Sequence, residues 1–158
     1  MFSLKKNKPT KTIFSPCSGV VKRIETVNDP VFSAKLMGDG FAVLPIEGNI
    51  YSPIKGKVTT VFPTKHAICL ITEEGIEVLV HMGIDTVVLK GVGFKLFVEE
   101  NQEVDVQTLL AKVDLNVLKL EHKETDILIV FTNLKSNQKC CVTSKHDVLN
   151  HQQIGEIK

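Results

Sequence analysis

The sequence predicts an all-β fold, an antiparallel β-sandwich or barrel of short strands with one or two short helical turns, on three observations. Short β-branched and apolar runs recur along the chain. Gly, Pro, Asn and Asp punctuate them at intervals of about 8 to 12 residues. No segment sustains a helical period long enough to build a layer.

Taken in order, the expected strands are residues 12–14, 20–24, 41–44, 57–62, 67–71, 76–82, 94–98, 109–113, 127–131 and 141–143. The first two flank Ser15-Pro16-Cys17-Ser18-Gly19, and the fourth follows Ser52-Pro53-Ile54-Lys55-Gly56. Proline presets φ for a turn and removes a ladder donor, so each of these segments reads as strand, turn, strand. The two copies share an aromatic-Ser-Pro-x-x-Gly frame, which is expected to reflect common turn chemistry without deeper symmetry. Residues 105–110 and 115–122 are expected to form one or two helical turns each.

A chain of 158 residues with 43% hydrophobic content suits one domain with a single sizeable core. Nineteen basic against eighteen acidic residues leave a formal charge of +1, too little field to hold nucleic acid. The apolar runs are far shorter than the roughly 20 residues a membrane helix needs. Residues 1–11 carry Lys5, Lys6, Lys8 and Lys11 but no apolar secretory signal. They are expected to be a flexible basic tail before a single domain over residues 12–158, in a cytoplasmic protein. Cys17, Cys69, Cys140 and Cys141 lack metal-binding or disulfide spacing, so they read as reduced thiols, with Cys69 in the core between Ile68 and Leu70.

The stretch 62–88 reads as a β-hairpin with its turn at Thr72-Glu73-Glu74-Gly75. Side chains alternate faces, so loop parity fixes the register. An even loop, 72–75, pairs Ile71 with Ile76, Cys69 with Val78 and His66 with His81, and gathers Ala67, Cys69, Ile71, Ile76, Val78 and Val80 on one apolar side. A three-residue loop, 73–75, would pair Ala67 with His81 and separate the histidines. The even loop is the expectation. Opposed residues have Cβ atoms about 4.5 to 5.5 Å apart, so two imidazoles could share one ligand group. A neutral imidazole can take a phosphoryl group without a metal, and a second can donate hydrogen bonds to the phosphoryl oxygens. Thr64 stands two residues before His66, where its hydroxyl could fix the tautomer or hold phosphate, and Gly83 allows close backbone approach. His122, His146 and His151 read as surface residues.

Residues 75–87, Gly-Ile-Glu-Val-Leu-Val-His-Met-Gly-Ile-Asp-Thr-Val, resemble the phosphorylation-site signature of the glucose-type enzyme IIA component of the bacterial phosphoenolpyruvate-dependent sugar phosphotransferase system. The likeness extends through Asp29-Pro30-Val31-Phe32, Met37-Gly38-Asp39-Gly40, Pro63-Thr64-Lys65-His66-Ala67 and Lys90-Gly91-Val92-Gly93-Phe94, and weakens after about Glu124. The resemblance implies that His81 accepts phosphate from the carrier protein HPr and passes it to a cysteine of an EIIB domain of a sugar permease, with His66 and Thr64 in support. It implies a partner-binding rim of Asp29, Val31, Phe32, Met37, Phe62, Leu79, Asp85 and Val87, with apolar walls that limit water around the phosphohistidine. It implies no required cofactor, zinc at His66 and His81 only with a ligand from a partner, room for regulatory protein partners, and membrane contact only through the permease. The rival is a zinc-dependent hydrolase using His66, His81 and Asp85, which would supply three ligands and leave one position for water.

Overall fold

The computed structural model describes residues 11–143 and 146–158. The strands are β1 (Thr12–Phe14), β2 (Gly19–Arg23), β3 (Asp39–Pro45), β4 (Asn49–Tyr51), β5 (Gly56–Val61), β6 (Ala67–Ile71), β7 (Glu77–Met82), β8 (Phe94–Leu96), β9 (Glu103–Val104), β10 (Leu109–Val113), β11 (Ile127–Phe131), β12 (Cys140–Val142), β13 (Asp147–Val148) and β14 (Gln153–Ile157). Two short helices, α1 (Pro30–Ser33) and α2 (Leu115–Leu120), and two 3₁₀ turns, Ile24–Thr26 and Thr86–Leu89, complete them. The expected tail falls almost wholly outside the described residues.

All pairings are antiparallel. An eight-stranded sheet runs β13-β2-β3-β11-β7-β6-β5-β9, and two three-stranded sheets run β1-β14-β12 and β4-β10-β8. Alternation gives the large sheet two different faces. One face sends Val21, Phe41, Val58, Ile68, Val80 and Ile129 into the main core, where they pack with Ile13, Ile50, Leu110 and Ile154 of the small sheets. The opposite face carries a smaller apolar cluster of Ala42, Ala67, Leu79, Leu128 and Val130, covered by Ile24, Val27 and Phe32. His81 stands on this second face.

The two Ser-Pro turns prove to be parts of a deeper repeat, contrary to the expectation of shared turn chemistry alone. Phe14 N–H donates to the Pro53 carbonyl at 3.0 Å, and Tyr51 N–H returns the bond to the Pro16 carbonyl at 2.7 Å. Ser15 Oγ donates to Cys17 O and Ser52 Oγ to Ile54 O, at 2.7 and 2.6 Å. The sheet orders repeat in the same sense: β13-β2-β3-β11 matches β9-β5-β6-β7, and β1-β14-β12 matches β4-β10-β8. A pseudo-twofold axis therefore passes between β7 and β11, whose register pairs Ile127 with Met82 and Phe131 with Val78. The half built from β4 to β10 is inserted between β3 and β11 of the other. By this correspondence Val130 occupies the place of His81, and Asp39 that of His66, so the histidine pair belongs to one half only.

The hairpin register differs from the expectation. Ala67, not His66, faces His81, and Ile71 faces Glu77. Thr72 N–H donates to Ile76 O at 2.9 Å, leaving a three-residue loop, and Gly75 takes φ +93°, the left-handed conformation such loops require at their exit. Consequently Val78 and Val80 join Ile68 and Leu70 in the main core, while Ala67 and Cys69 lie on the other face with Leu79. Cys69 is half-buried there rather than in the core.

Elsewhere, the helix expected over 115–122 forms as α2, but residues 105–110 do not coil. The Asp105 carboxylate accepts from Gln107 N–H at 2.8 Å, an Asx turn that leads into β10. Helix α1 went unread although Asp29 caps it, accepting from Val31 N–H at 2.9 Å ahead of Pro30. His122 and His146 are exposed as expected. His151, expected at the surface, is half-buried beside the Tyr51 ring at 4.2 Å and donates from Nδ1 to Val106 O.

Leu128, fully buried and opposite His81, ties the second face together. Leu128→Ala is expected to lower the unfolding free energy by about 2–5 kcal/mol in urea denaturation. Leu149→Ala, at a side chain 67% exposed, is expected to stay within about 0.5 kcal/mol. Equal effects would contradict this account of the packing.

Candidate functional site

His81 ends one residue before the close of β7, and the chain then turns sharply at Gly83. Gly83 has φ +81°, and a Cβ there would stand 2.5 Å from Thr86 Cγ2 and 3.1 Å from Glu124 O. Only glycine fits. The turn brings the Gly83 carbonyl to 2.8 Å from His81 Nδ1. A carbonyl only accepts, so the neutral ring carries its proton on Nδ1 and leaves the Nε2 lone pair free.

His66 arrives by a route other than strand alternation. It lies in the turn before β6, where Lys65 takes φ +60° and donates its N–H to Phe62 O at 2.8 Å. His66 O accepts from Met82 N–H at 2.8 Å, which docks this residue beside the end of β7. Its ring, outside the regular pleat, swings onto the second face. The two ring centroids are 5.1 Å apart at 80°. Thr64 Oγ1 lies 2.7 Å from His66 Nδ1. The expected meeting of the imidazoles occurs, but a left-handed residue produces it rather than an even hairpin loop.

The surroundings are apolar. The Phe32 ring sits 5.0 Å from His81 and the Phe62 ring 5.5 Å from His66. His66 is buried and His81 half-buried. Burial pushes the His81 pKa down, the neighbouring His66 adds to this, and the Gly83 bond and the charges of Asp29 and Asp85 oppose it; the result is about 4. Burial also lowers that of His66. Both rings are therefore held neutral at physiological pH.

The residues expected at the partner-binding rim divide into three groups. Val31, Met37 and Val87 are between 42% and 48% exposed, and Asp85 is exposed at the start of the second 3₁₀ turn. Phe32 and Leu79 are buried and form the wall rather than the rim, with Phe62 half-buried between. Asp29 spends its carboxylate on capping α1. Leu36 and Val88, at 74% and 60%, are more exposed apolar side chains than those named and adjoin Met37 and Val87 in sequence. The Gly83 carbonyl was missed as a ring acceptor. A backbone acceptor has no sequence signature.

The fold and site define a β-sandwich protein with a shallow two-imidazole centre on its outer face. Among the described residues no three His, Cys, Asp or Glu side chains come together as a metal-binding group, so Asp85 does not complete the ligand set on which the hydrolase reading depended.

The chain belongs to the family described as phosphoenolpyruvate-dependent sugar phosphotransferase system, EIIA 1, whose family model matches residues 11–137. It is thus a phosphoryl-carrier component of that system. It is 49% identical over 124 residues to the PTS system glucose-specific EIICBA component of Streptococcus pneumoniae, covering 78% of this chain and 17% of that protein. It is 41% identical over 133 residues to the PTS system glucose-specific EIIA component of Bacillus cereus, covering 84% and 81%. The structure of glucose permease IIA from Mycoplasma capricolum superposes with TM-score 0.85 and 35% identity over 99% of both chains.

An imidazole titration by NMR is expected to place the His81 midpoint near 4, well below the ordinary 6.5. Between pH 6.5 and 4 the unfolded chain binds a proton at this position that the folded chain refuses, so stability falls as pH is lowered through that window. A His81 midpoint near 6.5 would contradict the burial that the structure shows.

Proposed function

We propose that His81 Nε2 accepts a phosphoryl group from phosphorylated HPr and passes it to a cysteine of an EIIB domain of a sugar permease. The observation that carries this reading is the His81 Nδ1–H bond to the Gly83 carbonyl, with the His66 ring 5.1 Å away. It leaves one nitrogen of a neutral ring free on the open face.

In the loading step the Nε2 lone pair attacks phosphorus in line while the donor's phosphorus–nitrogen bond breaks and its electrons return to the donor imidazole. His81 keeps its Nδ1 proton, and the Gly83 carbonyl dipole stabilises the positive charge that forms on the phosphorylated ring. With the Thr64 hydroxyl donating to His66 Nδ1, the His66 proton sits on Nε2, where it can donate to a phosphoryl oxygen. In the second step a thiolate of the partner attacks phosphorus, the bond to Nε2 breaks, and neutral His81 is restored. Phe32 and Phe62 limit water at the centre between the two steps. The exposed apolar rim is suited to docking partners in turn, with Asp85 available to a basic group.

This chemistry needs no metal. If zinc enters, His66 and His81 supply two nitrogen ligands and a partner must complete the tetrahedron. No helix among the described residues is long and apolar enough to cross a membrane, and the reading places the protein in the cytoplasm, meeting the membrane through the permease.

Incubation with phosphoenolpyruvate, enzyme I and HPr is expected to add one acid-labile phosphoryl group, seen as intact mass. His81→Ala should abolish acceptance, whereas His66→Gln should load and then transfer onward about 10²-fold more slowly. Normal loading of the His81 variant, or an acid-stable product, would overturn the assignment.

A further inference from the structure

His81 is oriented through Gly83, and Gly83 is itself held from the adjoining strand. Its N–H donates to the Asp126 carbonyl at 2.8 Å, and the Ile84 N–H donates to Glu124 O at 3.0 Å. Residues 124–126, leading into β11, are therefore the fixed side of the clamp on the catalytic ring. They are anchored in turn by an ion pair that spans the sheet: Asp126 Oδ2 stands 2.8 Å from Lys22 Nζ on β2. The carboxylate side chain is 4% exposed and the lysine 28%. Lys22 faces Ala42, Ala42 faces Leu128, and Leu128 faces His81, so lysine and imidazole lie in one row across the same face.

Stability alone does not account for the pair. Two charges taken out of water in such a place contribute little beyond what well-packed apolar side chains of similar size would give. The other half of the pseudo-symmetric fold supplies the comparison. There Glu77 holds the position of Asp126, and its carbonyl accepts from Thr132 N–H at 3.0 Å, the same backbone bond. The Glu77 side chain is exposed and, among the described residues, forms no ion pair. Strand pairing thus needs no buried charge at this position, and the ion pair, in the half that lacks the site histidines, occurs only where the backbone bond holds the turn after His81.

We propose that Lys22 and Asp126 are positioning residues for phosphoryl transfer, holding the 124–126 segment so that the Gly83 carbonyl fixes His81 in its Nδ1–H tautomer. The inference rests on the function proposed above. Neither side chain touches the phosphoryl group; both act through the backbone at Gly83. Loss of either partner frees the clamp, lets the ring sample the other tautomer and misplaces Nε2 for in-line attack.

The test uses the full chain, with imidazole ¹⁵N NMR and single-turnover loading from phosphorylated HPr. Asp126→Asn and Lys22→Gln are each expected to lower the loading rate at saturating donor about tenfold. The half-saturating donor concentration should stay within about twofold, and the single Nδ1–H signature of His81 should give way to a tautomer mixture. The double variant is expected to be no worse than either single one, as for partners in one interaction. Lys22→Arg, which keeps the charge, should retain rate and signature, and Glu77→Gln should leave both unchanged. A folded Asp126→Asn protein with the wild-type rate and ring signature overturns the inference while the carrier function stands; if that variant does not fold, Lys22→Gln decides on the same readouts. A wild-type chain that never loads at His81 overturns the function itself.

Discussion

A single hydrogen bond, from His81 Nδ1–H to the Gly83 carbonyl, is the constraint on which the proposed chemistry depends. An unrestrained imidazole exchanges its proton between two nitrogens, and only the ring with a free Nε2 presents a nucleophile to the open face. The bond exists because the chain reverses at Gly83 in a conformation that leaves no room for a Cβ. That reversal is held by backbone bonds to residues 124–126. The turn is thus a product of the large sheet, and the sheet's stability is transmitted to one proton.

The two-faced sheet reconciles a stable fold with a reactive surface. Its inner face supplies the main core against the two small sheets. That leaves the outer face free to hold a smaller cluster that is only partly covered. Burial against Phe32 and Phe62 keeps the imidazoles neutral at physiological pH, while Val31, Leu36, Met37 and Val87 remain exposed. The pseudo-twofold repeat shows how little of this comes from the scaffold. The half related by the axis carries Val130 and Asp39 where the site has His81 and His66, and it builds the same strands without an imidazole at either position.

Much of the fold was legible because short β-branched runs between turn residues have few other solutions. Residues 12–14, 67–71, 109–113 and 127–131 form strands with the expected bounds. The polar or very short strands β4, β9, β13 and β14 were not seen, since Gln153-Ile154-Gly155-Glu156-Ile157 offers little apolar contrast and a two-residue strand has no period. The hairpin register is not fixed by the sequence pattern, because residues 72–75 accommodate an even or an odd loop and both give an apolar face. Even so, the histidines meet, since Lys65 adopts a left-handed φ that alternation does not anticipate. His66, His81 and Thr64 stood out through a long local motif. The Gly83 carbonyl has no side chain to announce it, and Lys22 and Asp126 lie 104 residues apart, beyond the reach of any local pattern.

The regiochemistry of the phosphorylated ring tests this account most directly. A phosphorus–nitrogen correlation spectrum of the loaded, ¹⁵N-labelled protein is expected to couple the phosphorus to His81 Nε2, with a proton retained on Nδ1. Coupling to Nδ1, or to the ring of His66, would mean that the Gly83 carbonyl does not govern which nitrogen reacts.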